Sequence, residues 1–177
     1  MNLPNAITIG RIALVPLFVF LAYGDTTGAA LAAFGVFLVA SVSDFLDGYL
    51  ARKSSIITRA GEFLDPLADK LLVGAALYAL VATRSFPLWA ALVIAAREVI
   101  IQILRIRIVS TGGTLPASHL AKLKTVLQIC MVSWWLLPWD DIGFAHWWWL
   151  VAAVIATVAS GAEYFTKRMR METVIER

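Results

Sequence analysis

Cysteine is nearly absent from this chain: Cys130 stands alone within an apolar stretch, so no intrachain disulfide can form. Charge is scarce as well. Asp, Glu, Lys and Arg make up 15% of the 177 residues, against 60% hydrophobic residues, and the mean hydropathy is +0.81. This balance excludes an ordinary soluble globular protein and predicts an all-α polytopic membrane protein. A spanning helix takes about 20 apolar residues, so the length accommodates roughly six transmembrane helices and leaves no room for a soluble domain. A single membrane-embedded domain over residues 1–177 is the expectation. The opening MNLPNAITIGRIALVP has no small-residue cleavage site after a basic segment, and is expected to be retained. No internal repeat of the kind common in transporters is present. With a net charge of +3, no nucleic-acid partner is expected.

Six apolar runs are separated by polar breaks. They extend over about Ile7–Tyr23, Ala29–Leu50, Gly61–Ala82, Leu88–Ile106, Ala121–Leu137 and Trp147–Phe165. Gly24-Asp25-Thr26-Thr27-Gly28 and Thr83-Arg84-Ser85-Phe86-Pro87 read as short turns, Arg52–Ala60 as a polar and basic turn, and Arg107–Leu120, with Gly112-Gly113 and Pro116, as the longest connection. Twelve of the 15 lysines and arginines fall on the side that holds the N-terminus, Arg84 falls on the other, and Lys70 and Arg97 lie within spans. The bias places both termini on the cytoplasmic face of the cell membrane. Trp134, Trp135, Trp139, Trp147, Trp148 and Trp149 cluster around the last outer loop, where indole rings serve as interfacial anchors.

Against this apolar background one stretch stands out: DFLDGYLARKSSIITRAGEFLDPLAD, from Asp44 to Asp69. At 100° per residue, Asp44, Asp47, Gly48 and Ala51 fall within a sector of about 100° on one helix. Gly61, Asp65 and Asp69 follow at steps of four and drift only about 80° around a second. Carboxylates inside a span cost at least a few kcal/mol each unless paired, hydrated or metal-bound. Pairing with Arg52, Lys53, Arg59 and Lys70 does not explain the glycines and alanine on the same faces. Two hard divalent cations, Mg²⁺ or Mn²⁺, balance four carboxylates, and such a pair can hold a diphosphate for in-line displacement. Gly48, Ala51 and Gly61 keep the cleft wall low, and Arg52 can meet phosphate charge. Asp44 and Asp69 each lie eight residues from the surface turn, or about 12 Å along a helix, which puts the site within the cytoplasmic leaflet. A lipid diphosphate can reach it sideways while a soluble headgroup precursor enters from the cytoplasm.

The order D-x2-D-G-x2-A-R-x8-G-x3-D-x3-D resembles, without a departure, the signature of the CDP-alcohol phosphotransferases. The resemblance implies that Asp44, Asp47, Asp65 and Asp69 bind metal and that Asp69 is also the general base. It further implies that Asp47, Gly48, Ala51, Arg52 and Gly61 contact the CDP moiety, with Thr58 in the connecting turn beside the nucleotide. Proton removal by Asp69 would let the acceptor oxygen attack the lipid-linked phosphorus, with CMP leaving. A homodimer in contact with membrane lipids is implied as well.

The opening Pro4-Asn5-x2-Thr8-x2-Arg11 looks like that of phosphatidylglycerophosphate synthases and the related cardiolipin synthases, which adds Asn5 and Thr8 to the CDP-binding candidates. Ala95-Ala96-Arg97-Glu98 and Lys122-Leu123-Lys124-Thr125 are similar to later blocks of the same enzymes, and a glutamate after Arg97 favours the former group. CDP-diacylglycerol and glycerol 3-phosphate are then the expected substrates, with phosphatidylglycerol or inositol phosphate as alternative acceptors. A phosphate-bearing acceptor needs cations, and the candidates are Arg59, Arg97, Arg105, Lys122 and Lys124. A prenyltransferase is disfavoured because the chain has one compound aspartate motif rather than two separated ones.

Overall fold

Helices start and stop where the polar breaks interrupt the apolar runs. The computed structural model describes residues 3–54, 59–110, 119–139 and 144–175, and the side chains of 9–43, 68, 70–108, 119–139 and 144–166. Among these residues there are six α-helices and no strand: α1 (Leu3–Ala22), α2 (Thr27–Ser54), α3 (Arg59–Thr83), α4 (Leu88–Ser110), α5 (His119–Leu136) and α6 (Ala145–Ile175). Each matches an expected run, usually with extra residues at the ends. The expected turn over Arg52–Ala60 is shorter than its polarity suggests, because α2 continues through Ser54 and α3 begins at Arg59. Lysine and arginine are good helix formers and are favoured in a last turn, where they face the negative end of the helix dipole. Likewise α6 continues past its apolar part into the basic tail.

The connections are built from local hydrogen bonds. Thr26 caps α2: its hydroxyl accepts from the Ala29 N–H at 3.1 Å and its carbonyl from the Ala30 N–H at 3.0 Å, filling donors that a helix start leaves open. Gly24 makes the preceding bend, with its N–H donating to the Leu21 carbonyl at 3.0 Å. A Cβ there would lie 2.5 Å from the Ala29 Cβ, so the close approach of α1 and α2 requires glycine. After α3, the N–H groups of Arg84 and Phe86 both donate to the Leu80 carbonyl while Ser85 adopts a left-handed φ of 52°. Trp135 completes this corner. Its indole N–H donates to the Arg84 carbonyl at 3.3 Å, and its ring meets Phe86 edge-on at 4.8 Å. Trp135 is therefore buried, unlike Trp148, which is 73% exposed.

The chain sorts into two compact units, Met1–Pro87 with Val132–Asp141, and Leu88–Met131 with Ile142–Arg177. In the first, α1 packs on α2 and α3, and α2 on α3. Phe18 and Phe37 fill the core with ring centroids 5.8 Å apart, among the buried alanines 30, 33, 40, 68, 76 and 79. Such small residues let helix backbones approach closely. In the second unit α4 packs on α6, with Ile94, Leu150 and Ala153 wholly buried.

The outward faces are apolar, with Phe20, Tyr78, Ile155 and Val158 all more than half exposed. Among the described residues, Ala145–Thr166 of α6 is long and apolar enough to cross a membrane, and Ile9–Ala22, Thr27–Ser43 and Lys70–Thr83 are shorter apolar segments. Two substitutions check the connections by thermal unfolding in detergent. Gly24→Ala should destabilise the protein by about 1–3 kcal/mol through overpacking. Ser85→Gly should stabilise it by about 1 kcal/mol by relieving the left-handed conformation.

Candidate functional site

The aspartate signature divides between two helices of the first unit. Asp44 and Asp47 stand on α2, Asp65 and Asp69 on α3. The buried stripe of α2 passes through Ala30, Ala33, Phe37, Ala40 and Ser41, and positions 44, 47, 48 and 51 follow Ala40 in the sequence at helical spacing. The buried stripe of α3 passes through Ala68, Leu72, Ala76 and Leu80, and positions 65 and 61 precede Ala68 in the sequence at helical spacing. The side chains of Asn5, Thr8, Asp44, Asp47, Ala51, Arg52, Arg59, Asp65 and Asp69 lie outside the described ones, as does Thr58 altogether. No group of three or more His, Cys, Asp or Glu side chains occurs among the described residues.

Arg11, which the sequence sets near the start of the first apolar run, is buried. On α1 it is 2% exposed, in line with the buried Phe18 two helical turns on. It belongs to the interior of the unit that carries the aspartates.

A second polar centre lies in the other unit, on α4, α5 and α6. Glu98 Oε1 accepts from Lys124 Nζ and from Arg97 Nη1, the latter at 3.3 Å. Arg97 Nη2 donates to the Ser160 hydroxyl at 3.0 Å, which donates in turn to the Thr157 carbonyl at 2.9 Å. Thr157 Oγ1 accepts from the Gln128 amide at 3.1 Å and donates to the Ala153 carbonyl at 2.6 Å. Glu98, Lys124, Gln128, Thr157 and Ser160 are all buried. The spacing explains the arrangement: Lys124 and Gln128 are four apart on α5, Thr157 and Ser160 three apart on α6, so each pair shares a face. The Arg97 stem passes beside Gly161, where a Cβ would lie 3.6 Å from Arg97 Cγ in ordinary van der Waals contact.

The candidate phosphate-binding cations therefore have different surroundings. Arg97 and Lys124 converge on one carboxylate, while Arg105 and Lys122 are exposed. Gln128, Thr157 and Ser160 join this hydrogen-bonded network without having stood out in the sequence. Their signal was polar side chains at helical spacing inside apolar runs, which ordinary helix packing also produces. His119 is exposed at the start of α5, and His146 stacks near Trp147 at 5.3 Å.

The family model described as CDP-alcohol phosphatidyltransferase matches residues 1–159. A Bacillus subtilis protein named CDP-diacylglycerol--glycerol-3-phosphate 3-phosphatidyltransferase is 44% identical, over 94% of each chain. A protein of the same name from Rickettsia typhi is 36% identical, over 93% of this chain and 95% of its own. A Mycobacterium tuberculosis protein named probable phosphatidylglycerophosphate synthase is 34% identical, over 96% of this chain and 82% of its own.

The α5–α6 part of the polar centre yields a stability prediction. Thr157→Val keeps the shape but removes the acceptor of the Gln128 amide, and should cost about 1–3 kcal/mol. Thermal unfolding of the purified variant measures the loss.

Proposed function

Because this chain belongs to the CDP-alcohol phosphatidyltransferase family, we infer that it is the phosphatidyltransferase that joins CDP-diacylglycerol to glycerol 3-phosphate, forming phosphatidylglycerophosphate and releasing CMP in phospholipid biosynthesis. The observation that carries this reading is the 44% identity, over 94% of both chains, to a protein whose name states that reaction. The complete aspartate signature on α2 and α3 supports the donor half.

An all-carboxylate donor set on successive helical turns fits hard divalent cations and does not fit soft metals. Asp44, Asp47, Asp65 and Asp69 would hold two Mg²⁺ or Mn²⁺ ions, which when bound neutralise the diphosphate and the charge that develops on departing CMP. The chain's own residues perform the remaining tasks. Asp69 takes the proton from the acceptor hydroxyl, whose oxygen then forms a bond to the lipid-bearing phosphorus as the bond from that phosphorus to the CMP oxygen breaks. Gly48, Ala51 and Gly61 leave space for the nucleotide, while Arg52 offers charge and Asn5, Thr8 and Thr58 offer polar contacts. Arg59, Arg97, Arg105, Lys122 and Lys124 are the cations for the acceptor phosphate.

All six helices cross the membrane in this reading, with both termini and the aspartates on the cytoplasmic side. Helix lengths from 18 to 31 residues are of the order a bilayer requires, and the lysine and arginine bias supports the orientation. The functional form is taken to be a homodimer in contact with membrane lipids.

Steady-state CMP release by the purified protein tests the assignment. Wild type should turn over with glycerol 3-phosphate and fail with phosphatidylglycerol or inositol phosphate. Chelation should abolish turnover and Mg²⁺ or Mn²⁺ restore it. Asp69→Asn should lower the rate by about 10²-fold or more, and undiminished turnover would remove Asp69 as the base.

A further inference from the structure

Helix association alone does not account for the charged half of the polar centre on α4, α5 and α6. The Gln128–Thr157 hydrogen bond joins α5 to α6 with neutral groups, which is the usual means of holding helices together in apolar surroundings. Burying Glu98, Lys124 and most of Arg97 is far costlier, and ion pairs so placed seldom stabilise more than apolar side chains of the same volume. Such a cluster calls for a use beyond packing.

Two details indicate which use. Arg97 Nη1 and Lys124 Nζ both donate to the same carboxylate oxygen, Glu98 Oε1, so two cations that would otherwise repel each other are held side by side. Arg97 also has its two terminal nitrogens engaged, by Glu98 and Ser160, while its Nε–H is buried without an acceptor among the described residues. A buried donor left unfilled costs free energy that an arriving anion recovers. A guanidinium beside an ammonium is the combination that suits a phosphomonoester.

We propose that Glu98 and Ser160 are positioning residues for the acceptor. Glu98 fastens Lys124 and Arg97 together, and Ser160 fixes the second arm of the guanidinium, so the two cations meet the phosphate of the acceptor alcohol as one preformed unit. This rests on the reading above that the acceptor carries a phosphomonoester. Long cationic side chains lose much rotational freedom when they grip a ligand. Here the contacts to Glu98 and Ser160 already restrict that freedom, which favours acceptor binding and leaves the nucleotide lipid unaffected. Neither residue touches substrate in this scheme.

The test compares purified wild type with Glu98→Gln, Glu98→Asp and Ser160→Ala, measuring CMP release while each substrate is varied in turn. Loss of a charged hydrogen bond should raise the KM for glycerol 3-phosphate by about 10- to 100-fold in Glu98→Gln and by about 3- to 10-fold in Ser160→Ala. The KM for CDP-diacylglycerol should stay within about twofold in both, and Glu98→Asp should recover part of the loss. A merely structural role would move both KM values together, or lower kcat with neither changed, and either pattern overturns the proposal. So does an unchanged acceptor KM. Should Glu98→Gln fail to fold, Ser160→Ala removes one hydroxyl and carries the same test. Wild type that releases no CMP with glycerol 3-phosphate would refute the acceptor reading itself, a failure visible before any variant is compared.

Discussion

A charged side chain placed among apolar helices must find an opposite charge, a metal ion or water, and most of this protein's organisation follows from that requirement. Glu98 meets it with Lys124 and Arg97. The aspartates of α2 and α3 are proposed to meet it with divalent cations and, through them, a diphosphate. The expense of desolvation explains why charge is so rare along the chain.

The apolar remainder serves to hold those positions. In the unit of α1, α2 and α3 the core is built largely from alanine, with one aromatic pair, Phe18 and Phe37. Small side chains bring helix axes close, and closeness suits carboxylates on two different helices that are to share ligands. The ends of these helices are secured locally, by the Thr26 cap, by the Gly24 bend and by the corner at Ser85 that Trp135 closes. Because each satisfies backbone groups at a helix end, the register of the aspartate helices does not rest on core packing alone.

The two halves of the proposed reaction differ in how far they could be read from the chain. The donor signature is local: all of its residues fall between Asp44 and Asp69 on two successive helices, and the 3.6-residue period places them on common faces without knowledge of packing. The acceptor side is not local. Glu98 meets Lys124 from 26 residues away, and Arg97 meets Ser160 from 63 residues away. Arg97 and Lys124 were identifiable as cations that need a reason to be there, but not as partners of the same carboxylate oxygen. The burial of Arg11 and Trp135 is likewise a product of packing. Arg11 is 2% and Trp135 6% exposed, and no local period in the sequence encodes that.

By itself the sequence determined the helical architecture, the approximate limits of the six helices among the described residues, and the carboxylate pattern on which the proposed chemistry rests. Apolar run length, polar breaks and helical period are properties of neighbouring residues, so no tertiary contact is needed to express them. Tertiary structure decided which side chains complete one another's charges and hydrogen bonds. A charge on α4 cannot choose between α5 and α6 until the helices have packed, because that choice depends on burial and on distances that no local period encodes.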